Sequence, residues 1–338
     1  MKSKLELIPT GEMDRDEWLN YRHTGIGASE VGSILGLDDY TSSLELYYYK
    51  IGEVPKFDTE SMASFMGREQ EDLIARLWQY WDGDEQAMIR NFRAGQIVRK
   101  CQRVNAYVRN PDYPWLYVSL DRKINRHENK GEGSLELKTI SGFESDKWEA
   151  GLPPKHVTQV QTQLAVCEFD YGEMAVLYDG RRLEVFPFDK SDGIVQHVIT
   201  RTKDFWDRVV QGRKFVNEKF HAMTQFNQKR VDECTHEIDK LAPEPDGTLA
   251  YADYLKQRYN KPSSAERKGT ADELQAAQEH AKAVAQLKEL QEIKTLQENI
   301  LKRAMGDTVQ VLDFARDGKV YWHITESRGR FFRNKVKM

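Results

Sequence analysis

The amino-acid composition changes abruptly about two-thirds of the way along this 338-residue chain. Residues from about 10 to about 222 are rich in Trp, Tyr and Phe, and helix-like patterns alternate there with strand-like ones. From 223 to 305 the chain is mostly Glu, Lys, Gln and Ala, with few aromatic residues. Alternating helices and strands over an ordinary domain length favour one α/β core. We therefore predict an α/β domain over 1–222 and a helical appendage with a terminal hairpin and basic tail over 223–338.

Composition limits the classes of protein to which the chain can belong. The longest apolar runs are far shorter than a bilayer span, and the first residues lack the apolar segment of a secretion signal. We therefore expect a cytoplasmic protein. Three widely spaced cysteines, Cys101, Cys167 and Cys234, argue against a disulfide framework and against a cysteine-based metal site. The net charge of −4 conceals 50 Lys and Arg residues, which is compatible with local basic surfaces.

Apolar periodicity predicts the elements of the core. Residues 69–80 carry Leu73, Ile74 and Leu77 at spacings of three and four, which is typical of an amphipathic helix. Alternation over 115–124 and a second apolar run at 134–140, separated by a polar loop, predict a β-hairpin. The remaining predictions are helices at 14–21, 30–35, 156–166 and 194–216, and two strands within 173–188.

The appendage contains a long stretch, 270–305, in which Gly and Pro are absent and apolar residues recur every three or four positions. One long helix is the simplest interpretation. Two further apolar runs, 309–314 and 320–324, predict a terminal hairpin. The last twelve residues contain five Lys or Arg and no acid. Such a tail is either a solvated terminus or a phosphate contact, and the sequence leaves both open.

Two acids and a lysine come together if the two strands of the predicted hairpin pair. Side chains two apart on a strand share a face, so Glu136 and Lys138 project together while Leu137 points to the opposite layer. Asp121, on the partner strand, joins them. Paired carboxylates can hold a magnesium ion, and a neighbouring ammonium can orient water for attack on a phosphodiester. The alternative is a surface ion pair beside an aspartate in a turn.

Several short motifs, taken in order, add to this pattern. Over about residues 15–215 the chain resembles the PD-(D/E)XK nucleases, and specifically the YqaJ-like viral recombinases, to which phage lambda exonuclease is related. The resemblance implies an α/β core with a mixed central sheet flanked by helices. The motifs that carry it are Arg22 with Gly25-Ile26-Gly27-Ala28-Ser29, Met66-Gly67-Arg68-Glu69-Gln70-Glu71, Ser119-Leu120-Asp121, Leu135-Glu136-Leu137-Lys138 and Gln159-Val160-Gln161.

The resemblance assigns roles to the residues of the hairpin. It implies that Asp121 and Glu136 are metal ligands and that the carbonyl of Leu137 adds a third. Lys138 matches the lysine that positions the nucleophilic water. The family's proline before the aspartate is replaced here by Leu120, which leaves the metal site unaffected because proline has no ligand role.

Four further residues receive roles from the same resemblance. Glu71 matches a helix-borne glutamate near the metals, and Gln159 matches a helix glutamine behind the site. Arg22 and Ser29 match residues that hold the 5′-terminal phosphate of the strand being degraded. Their chemistry fits, since a serine that opens a helix leaves free amides which, with an arginine, bind an anion. The alternative is a plain helix cap with Arg22 as a surface charge.

As a whole, the resemblance implies a Mg²⁺-dependent exonuclease, with Mn²⁺ able to substitute, that acts on duplex DNA ends. It would degrade from 5′ to 3′ and leave 3′ single strands for phage-type recombination. It further implies a trimeric ring, a single-strand annealing protein as partner, and a phage or prophage gene expressed in a bacterial cytoplasm. Two alternatives stay open: a PD-(D/E)XK endonuclease of repair or restriction, and a non-catalytic DNA-binding module.

Overall fold

A computed structural model of the chain describes residues 5–55, 61–125, 131–141, 148, 151–261, 265–325 and 329–336. These residues belong to two compact units, Met1–Asn260 and Lys261–Met338. None of the described helices is both long enough and apolar enough to cross a membrane.

Helices and short strands alternate through the first unit, as the sequence predicts. Within the described residues its α-helices are α1 Arg15–Arg22, α2 Val31–Ile34, α3 Ser43–Ile51, α4 Met62–Trp78, α5 Glu85–Ala94, α6 Pro154–Cys167, α7 Asp192–Thr224, α8 Gln228–Leu241 and α9 Leu249–Arg258. Its strands are β1 Glu6–Pro9, β2 Ile26–Gly27, β3 Cys101–Gln102, β4 Ala106–Arg109, β5 Leu116–Ser119, β6 Arg122–Ile124, β7 Gly133–Ile140, β8 Tyr171–Tyr178 and β9 Arg182–Asp189.

The strands of the first unit form two sheets. One has the order β1-β4-β5-β2, with β2 parallel to β5 and the other pairs antiparallel. The other has the order β3-β6-β7-β8-β9, with β7 parallel to β8 and the other pairs antiparallel. The predicted hairpin is the β6–β7 pair, in which Arg122 lies opposite Leu135. The expected α/β class with a mixed central sheet is therefore confirmed.

Helices cover both faces of the five-stranded sheet. Trp78 of α4 packs with Leu137 of β7 in one apolar cluster, and Leu164 of α6 packs with Met174 of β8 in another. Because side chains alternate along a strand, the neighbours of Leu137 on β7 point toward α6. Burial of these apolar side chains contributes about 1.5–3 kcal/mol each to stability. The sheet therefore holds Glu136 and Lys138 against one rigid helix.

The 115–124 segment is two strands rather than the single strand that the sequence predicts. β5 pairs within the four-stranded sheet and β6 within the five-stranded sheet, so the chain changes sheets at Leu120 and Asp121. Apolar alternation gives no sign of this change, because Val118, Leu120 and Ile124 are all buried. The change of sheet places Asp121 at the junction of the two sheets.

Other predicted elements are found with shifted ends. The helices expected at 14–21, 69–80, 156–166 and 194–216 and the strands within 173–188 are confirmed as α1, α4, α6, α7, β8 and β9. Periodicity does not predict α3, because this helix buries most of its surface and shows no single apolar stripe. The predicted 30–35 helix is reduced to α2, which follows a turn of 3₁₀ helix at Ala28–Glu30.

The first unit extends beyond the compositional change at residue 222. The hydroxyl of Tyr47 on α3 donates to the carbonyl of Ile238 on α8 at 3.1 Å, and the Tyr48 hydroxyl donates to Asp239 at 2.5 Å. The rings of Tyr48 and Tyr254 also stack, with centroids 6.1 Å apart. Polar, aromatic-poor helices thus pack on the core through a few tyrosines. The functional division into 1–222 and 223–338 stays a prediction, while the packing unit ends at Asn260.

In the part of the second unit that the structure describes, one α-helix is followed by a small sheet. Helix α10, Ala271–Met305, begins with a capping box in which Thr270 and Glu273 bond each other's backbone amides. Strands β10 Val311–Asp313, β11 Gly318–Thr325 and β12 Gly329–Val336 form an antiparallel sheet in that order. The predicted helix and hairpin are confirmed. Part of the basic tail, for which the sequence predicts no strand, forms the third strand.

Candidate functional site

Asp121 is held in place by the neighbouring strand β7. Its Oδ2 accepts a hydrogen bond of 2.8 Å from the backbone amide of Leu137. Among the described residues, no hydrogen bond reaches its other carboxylate oxygen. Burial and the nearby carboxylate of Glu136 raise the pKa of Asp121 well above its usual range, and the Lys138 ammonium offsets only part of this. The Asp121 carboxylate is therefore fixed in orientation by the Leu137 amide, and the nearby positive charge does not fully balance its negative charge.

Glu136 is the most enclosed acid of the group, with 2% of its surface exposed. Its Oε1 accepts from the Gln159 amide at 2.6 Å and lies 2.7 Å from Lys138 Nζ. Its Oε2 accepts from the Gln163 amide at 2.6 Å. Two glutamines one helical turn apart on α6 thus bind one carboxylate on β7. This explains how a charged group is buried at a cost that its partners offset.

Lys138 carries the positive charge of the site. Burial lowers the pKa of Lys138, but the carboxylates of Glu136 and Asp121 outweigh burial, so the pKa is raised and the amine stays protonated at neutral pH. Its side chain is 28% exposed, whereas that of Glu136 is 2% exposed. Lys138 therefore links the buried acid to the open space beside it.

Glu71 approaches the same group from helix α4. Its Oε2 lies 3.8 Å from Arg103 and 3.9 Å from Arg122, too far for strong hydrogen bonds. Burial raises the pKa of Glu71, and these two arginines lower it only in part. Arg122 binds the neighbouring Asp72 more closely, which anchors α4 to the sheet at this point.

Glu71, Asp121 and Lys138 line a cavity of about 740 Å³. The His156 ring packs against Trp148, with centroids 5.1 Å apart, at its edge. Burial, together with the nearby Lys138 and Lys155, lowers the pKa of His156 to about 3, so the imidazole is neutral. The lining contains side chains of both charge signs, in addition to Leu137 and the neutral His156. The charged residues include Arg68, Glu71, Asp121, Lys138 and Lys155.

The donor atoms at this site fit a divalent cation of the magnesium type. Mg²⁺ takes hard oxygen ligands, and the carboxylates of Asp121 and Glu136 with the Leu137 carbonyl are such a set. Within the described part of the chain, no group of three or more His, Cys, Asp or Glu side chains is already arranged to hold a metal ion. The Lys138 ammonium stands beside Glu136 instead. The chemistry of the donors fits, while the ammonium supplies the local positive charge.

Arg22, a predicted phosphate ligand, belongs to a buried charge network. Its Nη2 lies 2.9 Å from Glu30 Oε1, and Lys50 Nζ lies 2.8 Å from Glu30 Oε2. Burial alone would raise the pKa of Glu30, but Lys50 and Arg22 outweigh it and hold the pKa at about 2. The buried Nε of Arg22 makes no hydrogen bond to any described residue.

Ser29, the other predicted phosphate ligand, is exposed and does not cap a helix. The residue at the cap position is Gly27, whose backbone amide donates to Glu30 Oε2 at 2.8 Å. The expected serine cap is therefore wrong, because Ser29 lies inside the 3₁₀ turn and Gly27, at the cap position, makes no side-chain cap bond. Arg22 and Ser29 still flank the same turn.

The structure therefore brings Asp121, Glu136, Lys138, Glu71 and Gln159 together and places Arg22 with Ser29 at a separate turn. Sequence analysis missed Gln163, although its spacing of four from Gln159 on a predicted helix puts both on one face. It also missed the partners of Arg22. Glu30 and Lys50 are far apart in sequence, and no pattern indicates that they meet.

The chain is similar to a known protein family and to a protein of Bacillus subtilis. Residues 17–170 match the family model described as the YqaJ-like viral recombinase domain. Over 307 residues the chain is 29% identical to "Uncharacterized protein YqaJ" of Bacillus subtilis (strain 168), covering 89% of this chain and 81% of that protein. The match extends beyond the domain into the C-terminal part.

Two solved structures are among those similar to part of this chain. An alkaline exonuclease (LHK-Exo) from Laribacter hongkongensis is 16% identical, covering 62% of this chain and 99% of that one, with a TM-score of 0.47. A phage-related exonuclease from Haemophilus somnus 129PT is 10% identical, covering 57% and 98%, with a TM-score of 0.36. The mixed sheet expected from the motifs is present, with Glu136 and Lys138 on β7 and Asp121 just before β6. Residues 17–170 of this chain are therefore similar to the YqaJ-like viral recombinase domain.

Proposed function

We propose that this protein is a Mg²⁺-dependent exonuclease that acts on the ends of duplex DNA. It degrades one strand in the 5′-to-3′ direction and leaves 3′ single strands for recombination. The observation that carries the proposal is the convergence of Asp121, Glu136 and Lys138, of which Asp121 and Lys138 line one cavity and Glu136 is buried beside Lys138. A surface ion pair, the alternative interpretation, does not account for a glutamate that is 2% exposed and bound by two glutamines.

Each residue of the site has a role in this proposal. Asp121, Glu136 and the Leu137 carbonyl would hold the cation, which supplies Lewis-acid stabilisation of the phosphate and lowers the pKa of water. Lys138 orients the attacking water and places its charge where negative charge grows on the phosphate oxygens. Gln159 fixes Glu136 by its 2.6 Å bond, and Glu71 adds a carboxylate at the cavity wall.

We assign the 5′-terminal phosphate to Arg22 and Ser29, on the resemblance to the family. The buried Arg22 Nε is a donor that no described residue uses, and a phosphate oxygen would satisfy it. The exposed Ser29 hydroxyl lies in the adjacent 3₁₀ turn. The same resemblance supports a trimeric ring that encloses duplex DNA and a single-strand annealing protein as partner.

The experiment that tests this function compares DNA ends. Purified protein is incubated with linear duplex and with closed circular duplex, with Mg²⁺, with Mn²⁺ and with EDTA. We expect nucleotide release from linear DNA with either metal, none with EDTA, and an intact circle. Cutting of the circle would indicate an endonuclease instead. No release from any substrate would indicate a DNA-binding module without catalysis.

The end-binding assignment has its own prediction. Linear duplex with 5′ phosphate should be degraded faster than duplex with 5′ hydroxyl, and Arg22→Ala should remove that preference. The variant should stay folded, because Lys50 still neutralises Glu30. The measurement is the initial rate on each substrate for both proteins. Equal rates of the wild-type protein on the two ends would contradict a phosphate site at this turn.

Gln163 offers a prediction about positioning. Gln163→Leu removes the donor to Glu136 Oε2 and keeps a similar volume, so we expect kcat to fall about 10–100-fold, as for other groups that orient metal ligands. KM for DNA should change little, because Gln163 is fully buried and cannot touch substrate. Gln196→Leu, at an exposed position on α7, is the matched control and should leave both constants unchanged. A change in KM alone would argue against this role.

A further inference from the structure

One face of the small C-terminal sheet combines cations with an aromatic ring. β11 and β12 pair so that Tyr321 lies opposite Arg333 and Lys319 lies opposite Lys335. Because side chains alternate along strands, these four residues share one face of the sheet. We call it the β12 face.

The opposite face of this sheet is the one turned toward helix α10. Val320 and Met305, the last residue of α10, are each 1% exposed. Nζ of Lys302, also on α10, lies 5.1 Å from the centre of the Phe332 ring. Phe332 alternates with Arg333 along β12, so Arg333 and Lys335 point away from the helix. Both are exposed, and within the described residues no ion pair involves either one.

The charge of this region is opposite to that of the chain. Residues 311–336 contain six Lys or Arg and three Asp or Glu, a net charge of +3, whereas the whole chain carries −4. Strand β12 itself has three cations and no acid. Lys319 is partly neutralised by Asp313, 2.7 Å away. Arg333 and Lys335 are therefore the cations most available to a negatively charged partner.

We propose that the β12 face binds single-stranded nucleic acid. Exposed cations neutralise backbone phosphates, and an aromatic side chain set among them stacks on a base. A duplex hides its base faces inside the stack, so a ring between cations is of use only to a strand whose bases are free. The sheet has three strands, and an open sheet surface suits an extended polynucleotide better than it suits a small molecule.

This proposal goes beyond the nuclease function and does not rest on it. The β12 face lies in the unit Lys261–Met338, and every residue that lines the cavity lies in Met1–Asn260. Binding can be measured with EDTA present, so the result does not depend on hydrolysis. A failure of either proposal is therefore recognisable by itself.

The test uses the full chain and a fluorescent oligothymidine of roughly 20 nucleotides, longer than the ~4–16 nucleotides of typical single-strand sites. Fluorescence anisotropy gives the Kd at several salt concentrations. The double variant Arg333→Ala, Lys335→Ala should bind at least about tenfold more weakly. Its plot of log K against log salt should be less steep by about 0.7 for each phosphate that the variant no longer neutralises. Lys288→Ala with Lys294→Ala, on α10, removes the same charge and should change Kd by less than about twofold.

Substitution of the ring separates stacking from charge. Tyr321→Ala should weaken binding by about 5- to 100-fold, and Tyr321→Phe should retain it, since stacking is worth about 1–3 kcal/mol per base. Thermal unfolding confirms that each variant is folded, and Tyr321→Phe tests the face even if Tyr321→Ala is unstable. Three results would overturn the proposal: no binding by the wild-type chain, equal losses in the α10 control, or binding only to blunt duplex or to phosphatidylserine vesicles.

Discussion

Asp121→Asn should reduce Mg²⁺-dependent nucleotide release from linear duplex by at least about 1,000-fold, the scale seen when a group essential to an active site is removed. The amide is nearly the same size as the carboxylate, and its oxygen can still accept the 2.8 Å bond from the Leu137 amide. What is lost is the negative charge that a divalent cation requires. Initial rates at saturating DNA are the measurement.

Stability should respond to this substitution in the opposite direction from activity. In the metal-free protein the buried Asp121 carboxylate faces Glu136, which raises its pKa and opposes folding at neutral pH. A neutral side chain removes that repulsion, so the melting temperature should stay the same or rise. Asp189→Asn, an exposed position at the end of β9, is the control and should alter neither activity nor stability. Full activity of Asp121→Asn would remove this residue from the site.

Glu30→Ala should lower the free energy of unfolding by about 3–5 kcal/mol, because it leaves two buried cations without their anion. Lys50 has no exposed surface, and the Glu30 side chain is 6% exposed. The carbonyls of Arg22 and Gly25 also accept from Lys50 Nζ, but they carry no full charge. Urea unfolding measures the loss. Glu218→Ala breaks an exposed pair with Arg230 and should cost less than about 1 kcal/mol.

The pH dependence of stability gives a second readout of Glu30. Its pKa is about 2 in the folded protein against an ordinary value of 4.5, so the carboxylate stabilises the fold fully above pH 4.5. That contribution, about 3 kcal/mol, is lost as the pH falls through the interval between these two values. Glu30→Gln should lack this part of the acid transition. An unchanged acid limb in the variant would show that other carboxylates control it.

Local patterns predict much of the fold and of the site. β7 and α6 have clear periodicity. Glu136 and Lys138 lie on one face of β7 as their spacing predicts, and Gln159 contacts Glu136, next to which only the resemblance had placed it. The change of sheet at Asp121 escapes prediction, since the apolar alternation continues through it. Glu30 and Lys50 escape for another reason. Their pairing depends on the packing of α3 against the turn before α2, which is a long-range contact that no local pattern encodes.

The Arg22 turn differs from the sequence expectation in how its cap is formed, and the role of Arg22 in phosphate binding stays a prediction. A serine cap is the expected source of an anion site, and the structure places Gly27 at the cap with the Glu30 carboxylate on its amide. Charge balance then comes from Arg22 and Lys50 together. A phosphate at this turn would meet an arginine that is already oriented by Glu30, which limits the entropy lost when it binds.

We propose that Asp121 and Glu136 bind one shared cation beside Lys138. Crystals soaked in MnCl₂ and measured at the manganese absorption edge test it directly. We predict an anomalous peak about 2 Å from oxygens of Asp121 and Glu136, with the Lys138 ammonium displaced from the carboxylate that it now contacts. A peak elsewhere in the molecule, or none at millimolar Mn²⁺, would contradict the account.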